Sequence, residues 1–112
     1  MPSYALFLDD ERVPSDVFWM SLPKRDWVIV RTVEEFERTL RARGRPDMVS
    51  FDNDLKTPKE GHHAAKLLCD ACIDHQWELP QCFVHTQNGE GSLLIVSQLE
   101  SCLKSWPELS GP

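Results

Sequence analysis

At 112 residues the chain has the length of one domain, enough to bury a core and too little for two. A net charge of −6 argues against extended DNA binding through a basic face, while leaving room for one pocket that handles a single phosphate. No apolar run approaches the roughly 20 residues of a membrane span, and Met1-Pro2-Ser3-Tyr4 carries no signal-like segment. No membrane association is expected, and a cytoplasmic location is the default.

In chain order, strand and helix alternate four times. Tyr4-Ala5-Leu6-Phe7-Leu8 is an apolar run that ends abruptly at Asp9-Asp10-Glu11-Arg12. Residues 13–22 read as a loop followed by a short helix. Trp27-Val28-Ile29-Val30 predicts a second strand. Thr32-Val33-Glu34-Glu35 is a capping box that opens a helix, with Val33, Phe36 and Leu40 on one face. After the turn signal Gly44-Arg45-Pro46-Asp47, Met48-Val49-Ser50-Phe51 predicts the third strand. Thr57-Pro58-Lys59-Glu60 reads as a second capping box, with proline at the first helical position, and Ala64, Leu68, Ala71 and Cys72 continue that helix. Cys82-Phe83-Val84 is the fourth strand. A last helix from about Ser92 is expected to bury Ile95, Val96, Leu99, Leu103 and Trp106, and to stop at Pro107. The boundaries implied are a domain over 1–106 and a flexible tail over 107–112.

Continuous apolar strands alternating with helices predict a three-layer α/β fold, with a four-stranded, mostly parallel sheet and helices on both faces. The four cysteines fit this pattern without zinc or disulfides: Cys69 and Cys72 share a helical face with Ala65 and Leu68 and read as small core residues.

Sheets of this kind bind ligands beyond the carboxyl ends of their strands. Three strands end there in polar clusters: Asp9-Asp10-Glu11, Asp52-Asn53-Asp54 and His85-Thr86-Gln87-Asn88. Each alone suits a turn. Together they bring up to five carboxylates and an imidazole to one edge, and like charges so placed call for a cation or shared protons. His85, leaving a buried strand among carboxylates, suits general acid–base work near neutrality. His62 and His63, in the first turn of the third helix, face the same edge, and one of them can reach the pocket. His75 points to the opposite end.

Leu6-Phe7-Leu8-Asp9-Asp10-Glu11 resembles the first strand and acidic pair of response-regulator receiver domains, and Pro46-Asp47-Met48-Val49-Ser50-Phe51-Asp52 resembles the strand whose last aspartate accepts phosphate. Thr86 stands where receivers keep Ser or Thr. The fifth receiver strand and its lysine are missing. A narrower resemblance spans nearly the whole chain: Leu8-Asp9-Asp10-Glu11-Arg12-Val13-Pro14, Val30-Arg31-Thr32, Ser50-Phe51-Asp52-Asn53-Asp54-Leu55 and His85-Thr86-Gln87-Asn88 are similar to the cyclic-phosphate-processing receiver-like family. That resemblance implies a flavodoxin- or receiver-like sheet and marks Asp9, Asp10, Arg12, Asp52, Asp54, His85 and Asn88. It also implies a phosphodiesterase that opens the cyclic phosphate of a small nucleotide or an RNA end. Asn53 stands where the family usually has His, so His62 or His63 would have to supply a second proton-transfer group.

In that scheme His85 moves the proton, and Asp9, Asp10 and Asp52 hold Mg²⁺ or Mn²⁺. Asp54 orients a histidine or the water. Arg12 and Thr86 contact substrate, and Asn88 either donates to a phosphoryl oxygen or caps the last helix. The alternatives are a non-catalytic, degenerate receiver-like module that binds a protein or sequesters a nucleotide, and aspartyl phosphorylation at Asp52. Trp19, Trp77 or Trp106 would serve a homodimer contact.

Overall fold

The computed structural model describes residues 3–110, with side chains through Leu103. Four short strands, β1 (Ala5–Leu8), β2 (Trp27–Val30), β3 (Met48–Phe51) and β4 (Gln81–Val84), pair in parallel in the order β2-β1-β3-β4. Three helices, α1 (Val33–Arg43), α2 (Gly61–His75) and α3 (Gly89–Ser110), complete an α/β receiver-like fold. The register aligns Leu6 with Val28 and Val49, and Leu8 with Val30 and Phe51. Alternation then gives each face of the sheet its own set of side chains.

Leu6, Leu8, Val30, Val49 and Phe51 form one buried cluster with Val33, Phe36 and Leu40 of α1, Ala64, Leu68 and Cys72 of α2, and Ile95 and Leu99 of α3. All three helices therefore cover one face. The opposite face carries Phe7, Trp27, Ser50 and His85, with Phe7 edge-on to Trp27 and stacked on His85. Helices were expected on both faces, but here the layer is the β1–β2 crossover, residues 9–26. Its regular structure is one 3-10 turn, Pro14–Asp16, and no helix follows it as far as β2. Right-handed connections explain the division, because β1 to β2 steps one way along the sheet and β2 to β3 to β4 steps the other.

The capping signal at Thr32 is realised: its hydroxyl accepts the Glu35 N–H at 3.1 Å. The one at Thr57 is not. Helix α2 begins at Gly61 with Glu60 as its cap, and the Thr57 hydroxyl instead donates to the Lys59 carbonyl at 2.6 Å. The delay has a steric cause, since Gly61 lies so close to the Asp52 carbonyl and Asn53 Cα that any Cβ there would overlap them. Gly91, in the first turn of α3, meets the Asn53 side chain in the same way.

Helix α3 starts at Gly89 and buries Ile95, Leu99 and Cys102, whereas Val96 and Leu103, both expected inside, are exposed. A 3.6-residue period carries 95, 99 and 102 on one face and turns 96 and 103 away. The helix continues past Pro107 to Ser110, beyond the stop that the sequence predicts. Residues 111–112 of the expected tail, and the side chain of Trp106, lie outside the described residues. Cys69, Cys72 and Cys102 are buried, all four cysteines are free, and burial pushes the Cys69, Cys72 and Cys82 thiols up to about 12. Cys69 and Cys72 are core residues, as their spacing predicts. Among the described residues no helix is long and apolar enough to cross a membrane.

The two kinds of glycine separate cleanly. Gly61→Ala is expected to cost about 3 kcal/mol by overpacking. Gly89→Ala, where an added Cβ meets nothing within 4 Å, is expected to be neutral or to stabilise by up to about 1 kcal/mol. Urea unfolding of the two variants beside the parent chain measures both.

Candidate functional site

The parallel ladder runs one residue past the end of three strands. Asp9 donates its N–H to the Val30 carbonyl at 3.1 Å, Asp52 to Leu8 at 2.9 Å, and His85 to Phe51 at 2.9 Å. Those bonds set Asp9, Asp52 and His85 side by side at the carboxyl edge, all three buried. The ends of β1, β3 and β4, expected to converge, thus meet through backbone geometry alone.

Beneath this edge lies a chain of hydrogen bonds. His85 Nε2 is 3.0 Å from Asp9 Oδ2, and Nδ1 is 2.7 Å from the Ser50 hydroxyl. The ring stacks on Phe7 with centroids 4.5 Å apart. The other Asp9 oxygen accepts the N–H groups of Glu11 at 3.0 Å and Arg12 at 2.9 Å. Burial raises the Asp9 pKa, but the bonds from His85 and from these two amides outweigh it and hold the carboxyl down at about 2. His85 was expected to reach substrate as the proton-transfer group. Its ring instead lies under the floor with both nitrogens engaged, where it positions Asp9.

Above the floor is a cavity of about 330 Å³, lined by Asp10, Glu11, Arg12, Asp52, Asp54, Lys56, Thr86, Gln87 and Asn88. Asp10, Arg12, Asp52, Asp54, Thr86 and Asn88 are therefore brought together as the strand ends predict. Arg12 lies 3.7 Å from Asp9, and its guanidinium sits over the Trp19 ring at 5.2 Å. Arg31 clasps the loop by donating to the backbone carbonyls of Asp9 at 3.1 Å and Arg12 at 2.6 Å. Asn88 donates to both oxygens of Asp54 at 3.1 and 3.2 Å, so Asp54 faces an amide rather than a histidine. The Asn88 Oδ1 accepts from Glu90 and Gly91 N–H groups, which realises the capping alternative. Thr86 lines the same wall as Asp52, and its hydroxyl accepts the Asn88 N–H at 3.2 Å.

Sequence reasoning passes over Lys56. It adopts a left-handed backbone, φ 57°, in the β3–α2 loop, and its ammonium lies 3.4 Å from Glu11 and 3.7 Å from Asp10. A cation thus enters the cavity from the third strand's loop, although none follows the fourth strand. The signal was its place two residues beyond Asp54, in a loop leaving a polar strand end.

His62 is not part of the cavity wall. Its backbone N–H and Nδ1 meet Asn53 Oδ1 at 3.1 and 3.0 Å, and Asn53 Nδ2 donates to Glu60 at 3.2 Å. Burial, then the neighbouring His63, lowers the His62 pKa. His63 accepts the Glu60 N–H at 2.9 Å as part of the helix cap. Asn53 is therefore a buried hub hemmed in by Gly61 and Gly91, and neither histidine stands where a second proton-transfer group was expected. The remaining sites are peripheral: Trp77 packs against the core and stacks on His75.

One ligand atom each from Asp9, Asp10 and Asp52 lies within 4.8 Å of the others. The set is all oxygen and all carboxylate, which fits a hard divalent cation. Asp52 reports the same electrostatic need: burial, then the Asp9 charge, raises its pKa.

Two measurements follow from these shifts. A carboxyl lowered to about 2 stabilises the fold above its unfolded value near 4, and the contribution is lost as pH falls through that interval. In EDTA, the drop in unfolding free energy between pH 5 and pH 2 is expected to be smaller by about 2 kcal/mol in Asp9→Asn than in the parent chain. Asp52 is raised, so its charge opposes folding at neutral pH. Asp52→Asn is expected to raise the metal-free Tm by about 4 °C and to abolish any further rise with Mn²⁺, read by calorimetry.

No curated protein and no solved structure matches the chain. The family model for the cyclic-phosphate processing receiver domain does match, over residues 4–101, and takes in every strand and every cavity residue. The chain belongs to the cyclic-phosphate processing receiver domain family.

Proposed function

We propose that this domain hydrolyses a cyclic phosphodiester to a phosphomonoester in the cavity above Asp9 and Asp52. The observation that carries the reading is the pairing of two carboxylates, Asp10 and Asp52, with two cations, Arg12 and Lys56, in one solvent-open volume that has the third carboxylate, Asp9, buried close to the first two. A cyclic phosphate needs both signs: cations for its phosphoryl oxygens, and carboxylates to manage water and its proton.

Asp9, Asp10 and Asp52 would hold the divalent cation, which when bound supplies charge neutralisation and a more acidic water. Arg12 and Lys56 receive the phosphoryl oxygens, and the Asn88 amide is within the same wall to donate a hydrogen bond. Asp54, oriented by Asn88, takes a proton from the attacking water as its oxygen bonds to phosphorus. One ring P–O bond breaks, and the departing oxygen takes a proton from solvent, to which the cavity is open. His85 contributes through Asp9, whose carboxylate it keeps ionised and aimed. One observation favours a non-catalytic, ligand-holding module: neither His85 nor His62 offers a free nitrogen to the cavity.

³¹P NMR of 2′,3′- and 3′,5′-cyclic nucleotides, and of an oligoribonucleotide ending in a cyclic phosphate, with Mn²⁺ or EDTA, decides between these. Conversion of a cyclic resonance to a monoester is expected with Mn²⁺, reduced about 100-fold by Asp10→Asn or Lys56→Met with the fold intact. His85→Ala is expected to lower turnover and thermal stability together, because it takes the imidazole partner from Asp9 Oδ2 and the Ser50 hydroxyl and leaves a void. Ligand binding without conversion would establish the holding module instead.

A further inference from the structure

Residues 17–19 do not line the cavity and have no part in the chemistry above, but Trp19 touches one residue that does, Arg12. Val17 is buried and donates its N–H to Pro14, so the backbone here is anchored rather than loose. Trp19 is fixed from two sides: its indole N–H donates to the His85 carbonyl at 2.9 Å, and the Arg12 guanidinium lies over its ring. Those contacts tie it to both rims of the cavity, the end of β4 and the loop after β1. Phe18 is 87% exposed, and its ring stands edge-on to Trp19 with centroids 5.2 Å apart.

An exposed phenylalanine alone is ordinary. This one is held outward by a buried neighbour on one side and a pinned tryptophan on the other. Two ring contacts separate it from Arg12, a cation that lines the cavity, so a mononucleotide with its phosphate at Arg12 would carry its base outward toward Phe18. A base has a flat, neutral face that stacks on an aromatic ring whatever its identity, and a rim already ordered loses little entropy in receiving it.

We propose that Phe18, braced by Trp19, is a base-stacking platform, so that the ligand is a nucleoside cyclic phosphate rather than a base-free sugar cyclic phosphate. The proposal rests on the reading that the cavity receives a cyclic phosphate and adds which class carries it. The platform selects for a base without reading which one, since no hydrogen-bonding side chain is part of it.

Binding and turnover are measured separately so that the two readings fail separately. Calorimetric titration compares the 2′,3′- and 3′,5′-cyclic phosphates of adenosine with the corresponding base-free methyl ribosides, using the parent chain and Phe18→Ala. This exposed position can be truncated without touching the core, whereas Trp19 is left intact because it braces His85. At least one adenosine compound is expected to bind about fivefold or more tighter than its base-free partner, with Phe18→Ala erasing that advantage and leaving the base-free affinity unchanged. Equal affinity for both ligands in the parent chain overturns the platform, as does an advantage that survives Phe18→Ala, or no binding of either adenosine compound. Loss of self-association in Phe18→Ala with unchanged nucleotide affinity also overturns it, by assigning the ring to a contact between copies. Absence of hydrolysis in the parallel ³¹P assay bears on the hydrolase reading alone.

Discussion

A hydrogen bond between Asp9 and His85 joins positions 76 residues apart and lies entirely out of water. Much of the site follows from it. It fixes which oxygen of Asp9 is engaged from below, leaves the following residue, Asp10, in the cavity wall, and locks the end of β4 against the end of β1. Ser50 on the imidazole's other nitrogen and Phe7 on its face complete a pairing in which every polar atom is satisfied. In a low-dielectric setting that completeness matters, because removing any one member strands another. The cavity floor is thus a structural device first and an electrostatic one second.

The two faces of the sheet divide the labour. The helical face supplies the aliphatic cluster, while the opposite face holds the polar chain and the aromatic rings, covered by an irregular crossover. Charge is arranged in layers: a carboxylate held low by donors, a second pushed up by burial and then by the first, and Arg12 and Lys56 in the cavity wall. A net acidic protein can in this way present a locally balanced volume to an anion.

The strands and their convergence were legible because buried parallel strands write themselves as apolar runs, and a polar residue immediately after such a run has one place to go. Alternation told which residues end a strand, but not their depth: that His85 lies below the floor depends on Phe7 and Ser50, two residues on neighbouring strands whose row only the register reveals. Similarly, Thr57 carried a sound local signal for a helix start, and lost to the close approach of Gly61 to Asp52, a contact between segments that no local pattern encodes. Lys56 escaped notice for the same reason, since a surface lysine becomes a pocket residue only through the left-handed turn that carries it. The absent helix of the second face was the largest departure, and residues 13–22 lack the apolar spacing that would have demanded one.

Past the site residues that open it, the crossover from residue 13 to residue 26 is held by side chains: the Trp19 indole on the end of β4, the Arg25 guanidinium on Asp47, and the buried Val17. No sheet hydrogen bond runs through residues 13–26. Here the molecule can accept insertions, deletions and exchanges that would shift a strand's parity elsewhere and turn its carboxylates to the wrong side. The fold thereby keeps its carboxylate floor under strict geometric inheritance, while the sequence of the strap is freer to vary.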